Sequence, residues 1–525
     1  MVAVRRSLVA IVFICLVASS SAFGSATNIY ITQTGSPSGN CTANVQTPAF
    51  FNNASNWGSS SSQIGPGTTV LICGTFTGSA GSTEFTFQGS GSSGSAVILQ
   101  FDAGATLTAP YWSGSNGAIG CSSKSYVQID GGTDGVITNS ANGTNQANHQ
   151  QSFGVGFSSC TNVEIKNLTV NNIYINNGSS SGASDTAGSN TACIALSGSS
   201  TGSLIHNNTV SQCKIGVLIS ADSGGDANND QIYSNTISDI DWGINAGGGD
   251  SGDTINDLVI HDNNITNWTN WQFPTSALHQ DGIILFNVGN SSAGVTATIY
   301  NNYIHGDLGV GSPTGFIYCA DFSTCTIYNN LLVNTGHVIY GIMWLGQSSN
   351  MGKDMNVYNN TIVGATSSDV CIMLNITGKA TIENNVCTGP GGIWAFSTYQ
   401  TSLSSFTATV STSNRNVWNI GSGMAWGSQA SGSNATYAAW QSAGFDAASV
   451  NGNPELDSTF HLQSGSPATG LGANLAGLNI ASLDMDKALS PRPSTTSVNW
   501  DAGAYNASGS SAAPAPPTGL AATVQ

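Results

Sequence analysis

Hydrophobic and polar residues alternate in one short motif that recurs through the middle of the chain. The motif reads apolar, any residue, polar, Asn, any residue, apolar, as in Ile327-Tyr328-Asn329-Asn330-Leu331-Leu332. From Asn208, its Asn recurs at positions 235, 264, 302, 330, 360 and 385, in steps of 27, 29, 38, 28, 30 and 25 residues. Repeats of this length indicate a stacked solenoid or a propeller.

The local pattern distinguishes between these two architectures. Short runs of alternating β-branched residues predict strands and exclude helical repeats. Asn suits a bend, because it tolerates left-handed backbone, and stacked Asn amides can hydrogen-bond in a ladder. The chain is therefore predicted to be all-β, a single-stranded right-handed parallel β-helix with three strands per coil, about 10–12 coils and a cap at each end. A six- or seven-bladed propeller is the alternative, although propeller blades are usually longer.

The ends of the chain differ in composition from the repeats. Residues 1–26 have the charged start, short apolar run and small-residue site of a signal peptide. Residues 27–95 are expected to form the N-terminal cap, with a short helix within 48–57, and the first strands. The β-helix would occupy 96–445, and 446–507 would close its other end. The Pro- and Ala-rich residues 508–525 are either a linker or the start of a fibronectin type III module.

Charge narrows the choice of partner. The chain has 27 acidic against 10 basic residues and a net charge of −17, which disfavours nucleic acid, because phosphate binding needs clustered cations. An anionic glycan would need a bridging ion such as Ca²⁺. The predicted leader and the absence of any other long apolar run favour a secreted or cell-surface monomer with no membrane span.

The start and the end of the mature chain resemble the pectate-lyase-like superfamily of right-handed β-helix proteins. The resemblance rests on Asn28-Ile29-Tyr30-Ile31, on Gly74-Thr75-Phe76 and on Asp501-Ala502-Gly503-Ala504-Tyr505, and it covers most of 27–507. It implies the architecture but no single activity, because the fold hosts lyases, hydrolases, esterases and non-enzymes. The favoured function is action on, or binding of, a polysaccharide. A non-catalytic surface or matrix protein that binds glycans or other partners is the alternative.

Ten cysteines lie after the predicted signal peptide, and export permits disulfides. Cys193/Cys213 and Cys371/Cys387 each bracket one strand–turn–strand unit, and Cys121 and Cys160 lie at similar places in successive repeats. The expected pairs are therefore Cys121–Cys160, Cys193–Cys213, Cys319–Cys325 and Cys371–Cys387, with Cys41–Cys73 holding the N-terminal cap. Ten small buried thiols are the alternative.

Candidate catalytic residues come from the strands that begin at a Gly after each bend. Alternation predicts that Lys214, Asp241, Gln280 and Asp307 point outward in a stack, one per coil, above a bare floor of glycines. Asp241 and Asp307 would be two coils, or roughly 10 Å, apart, and could form the acid and base pair of a glycoside hydrolase. In a lyase, Lys214 would be the base and Ca²⁺ would neutralise a uronate.

The tetrapeptide His279-Gln280-Asp281-Gly282 adds two further catalytic candidates. His279 could serve as a general acid or base. Alternation places Asp281 on the inner face, where a hydrogen bond to a turn is the competing role.

Trp268 and Trp271 are candidates for stacking on sugar rings, with Asp239 and Gln280 as further substrate contacts. No cofactor is required, and the acidic residues between 222 and 281 make Ca²⁺ binding a hypothesis.

Overall fold

The strands wind into a right-handed parallel β-helix, as predicted. The computed structural model describes residues 28–141, 150–173, 191–222, 224–248, 252–268, 279–286, 295–309, 312–347, 354–420 and 424–507. In these residues each coil contributes one strand to each of three parallel sheets, which we call A, B and C in the order in which the chain visits them. Sheets A and B each contain 13 described strands and sheet C contains 11, close to the predicted number of coils.

The strands are numbered in chain order. Sheet A consists of β1 Ile29–Ile31, β2 Thr69–Ile72, β5 Val97–Phe101, β8 Val127–Asp130, β11 Glu164–Lys166, β14 Leu204–His206, β17 Gln231–Tyr233, β20 Leu258–His261, β23 Thr296–Tyr300, β26 Thr324–Tyr328, β29 Asp354–Tyr358, β32 Lys379–Glu383 and β35 Val410–Asn414. Sheet B consists of β3 Thr75–Thr77, β6 Thr106–Ala109, β9 Val136–Asn139, β12 Thr169–Asn171, β15 Thr209–Ser211, β18 Thr236–Ser238, β21 Asn264–Thr266, β24 Tyr303–Gly306, β27 Leu331–Asn334, β30 Thr361–Val363, β33 Val386–Thr388, β36 Val417–Trp418 and β39 Val450–Asn451.

Sheet C consists of β10 Phe153–Ser158, β13 Ala192–Ser197, β16 Ile215–Ser220, β19 Trp242–Gly247, β22 His279–Leu285, β25 Ser312–Cys319, β28 Met343–Leu345, β31 Val370–Leu374, β34 Trp394–Thr398, β37 Met424–Ser428 and the antiparallel β38 Asn434–Thr436. A two-stranded sheet, β4 Phe85–Phe87 and β7 Ile119–Ser122, precedes it. Three short α-helices are present in the described residues: α1 Pro48–Asn52, α2 Leu403–Thr407 and α3 Tyr437–Ser442. Ala54–Asn56 and Ala476–Leu478 are 3-10 turns.

The predicted asparagine ladder runs through the bend between sheets A and B. In each step the side-chain amide of one Asn donates to the side-chain oxygen of the next, at 3.0–3.1 Å. The ladder residues are Asn208, Asn235, Asn263, Asn302, Asn330, Asn360, Asn385 and Asn416. Asn263 therefore replaces the predicted Asn264, which begins β21 instead. The ladder satisfies buried amides that would otherwise oppose stacking.

The glycines at the start of the sheet C strands pack into the core and do not form the predicted floor. A Cβ added to Gly243 would lie 2.7 Å from Ile265 Cγ2 and would also overlap the carbonyl oxygen of Gly282. Gly216 and Gly282 face Ile237 and Ile304 in the same way. Only glycine lets successive coils approach this closely at the corner.

We expect Gly243→Ala to destabilise the fold by about 1–3 kcal/mol, because the added methyl group must displace backbone of the next coil. Urea unfolding followed by tryptophan fluorescence would measure the change. The matched control is Gly477→Ala, where an added Cβ meets nothing within 4 Å. Equal unfolding midpoints for both variants would contradict a packing role for Gly243.

All five predicted disulfides are present: Cys41–Cys73, Cys121–Cys160, Cys193–Cys213, Cys319–Cys325 and Cys371–Cys387. Disulfides of this number are typical of proteins that fold in an oxidising compartment outside the cytosol. In the described part of the chain, no helix is long and apolar enough to cross a membrane. The predicted signal peptide and the residues 508–525 lie outside the described ranges.

Aromatic residues close both ends of the core. Near the N-terminus α1 buries Phe51 against Trp57 and Phe85, as the predicted helix required. At the other end α2 and α3 pack Phe406 and Trp440 against Phe396 in sheet C.

The C-terminal segment has two parts: Asp446 and β39 lie at the second end of the coil, and residues 473–503 return along the bend between sheets A and B. Asn329, Asn359 and Asn384 donate to backbone carbonyls of Met485, Asp501 and Ala473 at 2.7–2.9 Å. These three asparagines come directly before ladder residues and have left-handed backbone. The first Asn of each pair thus holds the returning segment, and the second joins the ladder.

Candidate functional site

Two parallel rows of side chains follow the outer face of sheet C. The first, called here the floor row, contains Ile215, Trp242, Asp281 and Gly315, which pair in register, and Val370 and Trp394, which also pair. Gly341 lies between these two runs, two residues before β28, with its carbonyl oxygen against Gly315. The second, called the wall row, contains Leu218, Asn245, Ile284, Tyr318, Trp344, Met373, Ser397 and Gly427. Both rows run along the helix axis, with one residue contributed by each coil.

Packing confirms that these rows face away from the main core. Ile284 and Tyr318 form a separate hydrophobic cluster on which Trp242 and Trp344 pack, whereas Ile283 and Leu285 belong to the main core. The side chains of Trp242 and Trp344 are half-buried, so the two rows reach the surface at these tryptophans. The Tyr318 and Trp344 rings lie 5.2 Å apart. The outer face of sheet C is thus lined by aromatic groups.

A cluster of charged and polar residues interrupts this apolar face. Lys214 and Asp241 directly precede β16 and β19, and the register places Gln280 beside Asp241. The backbone N–H of Asp241 donates to the Lys214 carbonyl, and that of Asp281 donates to the Asp241 carbonyl, both at 3.0 Å. The backbones of Lys214, Asp241 and Gln280 therefore lie on successive coils.

These residues were predicted to point outward beside a bare floor of glycines, and the structure shows that their side chains are buried. Lys214, Asp241, Gln280 and Asp281 are only 2%, 3%, 0% and 0% exposed. Lys214 Nζ lies 5.7 Å from the centroid of the Trp242 ring, a cation–π arrangement. Burial of several charges in one place strengthens each of their interactions, because the local dielectric constant is lower than that of water.

Asp281 faces outward, contrary to the prediction from alternation. Its neighbour Gly282 faces the core, because an added Cβ would lie 2.7 Å from Ile304 Cγ2, and Ile283 is also in the core. Two successive residues therefore point inward at this corner, and strict alternation fails. Asp281 consequently joins the outer floor row, and its negative charge acts on Tyr318 in the wall row.

Asp307 does not join the predicted stack. The register of β22 with β25 places Pro313 beside Gln280, six residues after Asp307. Asp307 lies instead in the turn after β24, where its carboxylate is 2.8 Å from His337 Nδ1. Burial would raise the pKa of Asp307, but hydrogen bonds from the Gly309 N–H and from the His337 N–H and ring outweigh it and lower the pKa. The proposed Asp241–Asp307 pair is thus not supported.

The structure does not place the other predicted site residues at the outer face of sheet C. Trp268 is buried in the main core, donates its indole N–H to the Asp281 carbonyl at 3.0 Å and stacks on Phe316. Asp239 occupies a left-handed turn position with φ 52°, next to sheet B. His279 begins β22 and pairs with Ser312 through the backbone, and its side chain lies outside the described part of the structure, as does Trp271.

Two polar residues beside the cluster were missed by sequence analysis. Burial raises the pKa of the Tyr318 hydroxyl above its usual range, and the negative charges of Asp281 and Asp321 add to this effect. Burial also raises the pKa of Asp321 to about 6. Asp321 lies within the loop closed by Cys319–Cys325, so a short disulfide loop beside a sheet C strand was the signal that could have identified it.

A metal site is not evident in the described residues, where no group of three or more His, Cys, Asp and Glu side chains is arranged to hold an ion. The carboxylates of Asp241, Asp281 and Asp321 are hard oxygen donors, of the kind that Ca²⁺ prefers. The predicted binding of Ca²⁺ by the acidic residues between 222 and 281 stays a hypothesis.

Comparison with known proteins identifies similar backbones only. No family model and no curated protein matches the chain. Among solved structures, a crystal structure of pectate lyase Pel9A is 13% identical with a TM-score of 0.43, covering 92% of this chain and 97% of that one. A complex of XylC with xylose is 10% identical with a TM-score of 0.48, covering 91% and 98% of the two chains.

A third similar structure is a mannuronic acid specific polysaccharide family 6 lyase from human gut microbiota. It is 10% identical with a TM-score of 0.42, covering 82% of this chain and 92% of that one. Identities of 10–13% leave the chemistry of the site to be inferred from this chain's own residues.

Proposed function

We propose that this protein hydrolyses a polysaccharide bound along the outer face of sheet C. The observation that carries the proposal is the juxtaposition of Asp241 and Asp281, on adjacent coils, with the half-buried side chains of Trp242 and Trp344. Aromatic faces pack against the apolar faces of sugar rings, and paired carboxylates cleave glycosidic bonds. The continuous row of one residue per coil suits a ligand that is itself a chain.

The Cα separation of the two Asp residues is compatible with a catalytic pair, whose carboxylates would become accessible when the bound polymer displaces the side chains that bury them. Asp281 pairs with Trp242, the residue after Asp241, so one strand spacing and one residue along the strand separate the two Asp Cα atoms, about 6 Å in all. Carboxyl groups act as a pair at about 5–5.5 Å in retaining and about 6.5–9.5 Å in inverting enzymes. The configuration of the product would distinguish the two.

Both the inverting and the retaining reaction hydrolyse the glycosidic bond without a cofactor. One carboxyl group donates its proton to the glycosidic oxygen as the bond from that oxygen to the anomeric carbon breaks. The other carboxylate either receives a proton from the water that attacks this carbon or first bonds to the carbon and is then displaced by water. The two steps add one water molecule across the bond.

The charges of the site favour a neutral polymer. Asp241, Asp281 and Asp321 outnumber Lys214, so the carboxylates of a uronate polymer would be repelled unless a cation such as Ca²⁺ lay between them. Elimination from a uronate, with Lys214 as base, is the second candidate, because Lys214 is the cation that directly precedes Asp241 in the stack.

The test is to incubate the purified protein with neutral glucans, xylans, mannans and galactans and with pectate and alginate, each with Ca²⁺ and with a chelator. We expect new reducing ends from a neutral polymer, with no ultraviolet absorbance from an unsaturated product and no need for Ca²⁺. Absorbance that depends on Ca²⁺ would instead establish elimination. Binding without any product would show a glycan-binding protein and overturn the proposal.

A further inference from the structure

A cavity lies on the same outer face, several coils beyond the charged cluster. It encloses about 320 Å³, which is within the range of pockets for small ligands. Its lining includes Tyr340, Trp394, Gln429 and four serines, and none of its lining residues is charged. Flat rings with hydroxyl and amide groups around them fit an uncharged sugar, whose faces are apolar and whose edge is a ring of hydroxyls.

Two aromatic rings shape this cavity. The Tyr340 side chain is 58% exposed, which is unusual for a large hydrophobic residue and leaves its ring free to stack. Trp394 lies across β37 at Gly427, where any side chain would collide with the indole ring. Gly427 thus allows Trp394 to lie against the strand and form one wall of the cavity.

The floor row joins this cavity to the proposed catalytic carboxylates. Trp394 is four strands from Asp281 in that row, or about 19 Å at the usual strand spacing. Between them lie Gly315, Gly341 and Val370, and Met373 packs over Gly341, so its side chain would line the path of the polymer. Tyr318, Trp344 and Met373 of the wall row border this path.

We infer that the cavity at Tyr340 and Trp394 is a distal sugar-binding subsite, and that the substrate is a neutral polysaccharide long enough to reach it from Asp281. The inference rests on the proposed function, which it extends from the reacting bond to the far end of the bound chain. Binding of one end of the polymer in the cavity would then stabilise the transition state of a reaction about 19 Å away.

The test compares kcat/KM for neutral oligosaccharides of increasing length. The wild-type value should rise with length until the chain spans the path, and Tyr340→Ala and Trp394→Ala should remove the last part of this rise, by about tenfold each. Short oligosaccharides should be cleaved equally by all forms. Tyr340→Phe, which keeps the ring, should behave as wild type. Leu489→Ala, which truncates a residue 65% exposed on the returning segment, should also do so.

The outcomes separate this inference from the proposed function. Hydrolysis with the same length dependence in wild type and both alanine variants overturns the subsite and leaves hydrolysis intact. If wild type cleaves nothing, affinity electrophoresis in neutral polymers decides the inference by itself. Retardation that is weakened by Trp394→Ala and not by Leu489→Ala supports the subsite, and retardation equal in all forms or absent overturns it.

Discussion

Asp281→Asn is expected to lower kcat for polysaccharide hydrolysis by about 10²–10⁴-fold, the usual contribution of a positioned acid or base. The change replaces one oxygen by an amide that neither transfers a proton at neutral pH nor acts as a nucleophile, while the size of the side chain is preserved. Asp241→Asn should have an effect of similar size. Both are measured by the release of reducing ends at saturating substrate.

Binding of the polymer should survive in both variants, because the aromatic surface is unchanged. Affinity electrophoresis and an unfolding curve of each variant would show that the loss is one of chemistry and not of folding. Asp307→Asn is the matched control: its carboxylate hydrogen-bonds His337 in a turn, so kcat should be nearly unchanged. Full activity of Asp281→Asn would remove Asp281 from the proposed mechanism, and a large loss in Asp307→Asn would restore the pair that the structure disfavours.

Asp446→Ala should cause the largest loss of stability of any single change considered, at least about 4 kcal/mol. The Asp446 side chain is 1% exposed and accepts hydrogen bonds at 2.5–3.0 Å from five side chains, those of Ser413, Asn416, Trp418, Trp440 and Ser449. Asn416 is the last residue of the asparagine ladder, so Asp446 ends the ladder and fixes both indoles. Removal of the carboxylate leaves five donors without this acceptor, and each buried donor left unpaired costs about 1–3 kcal/mol.

Urea unfolding followed by tryptophan emission and near-ultraviolet circular dichroism would measure this loss. Asp446→Asn should also be strongly destabilising. Both carboxylate oxygens of Asp446 accept hydrogen bonds, and the new NH₂ group would face donors where an acceptor is needed. Asp457→Ala is the control: Asp457 also accepts several hydrogen bonds but is exposed, so its midpoint should barely move. An Asp446→Ala protein as stable as wild type would show that the network contributes little to the end of the coil.

Much of the architecture could be predicted from the repeat alone. The Asn-Asn pairs predicted bends, and the structure shows why both residues are needed: Asn329 supplies left-handed backbone and Asn330 the ladder. The repeat also supported the disulfides: Cys121 and Cys160 occupy similar places in successive repeats, and Cys193–Cys213 and Cys371–Cys387 each bracket one strand–turn–strand unit. These features could be predicted because the same residue types recur at nearly the same spacing in every coil.

The candidate site was predicted less well, because it depends on departures from the repeat. Asp281 points outward only because Gly282 and Ile283 both face the core at the corner before sheet C. Asp307 was assigned to the stack because it precedes a glycine, but the turn after β24 is longer and its partner is His337. Trp268, which had been expected to contact sugar, fills the core beside Phe316. Turn length and corner geometry fix these directions, and periodicity cannot reveal them.

The sequence by itself determined the parallel coil, the strand periodicity, the asparagine ladder and the cysteine pairs, since each follows from chemistry that recurs at nearly constant spacing. Only the tertiary structure decided which polar residues lie together on the outer face of sheet C and how deeply they are buried. It also decided where the C-terminal segment packs, because it lies against coils more than a hundred residues earlier in the chain. The physical reason is that stacking brings together residues far apart in sequence, and a shift of one residue at any corner reverses the direction of a side chain.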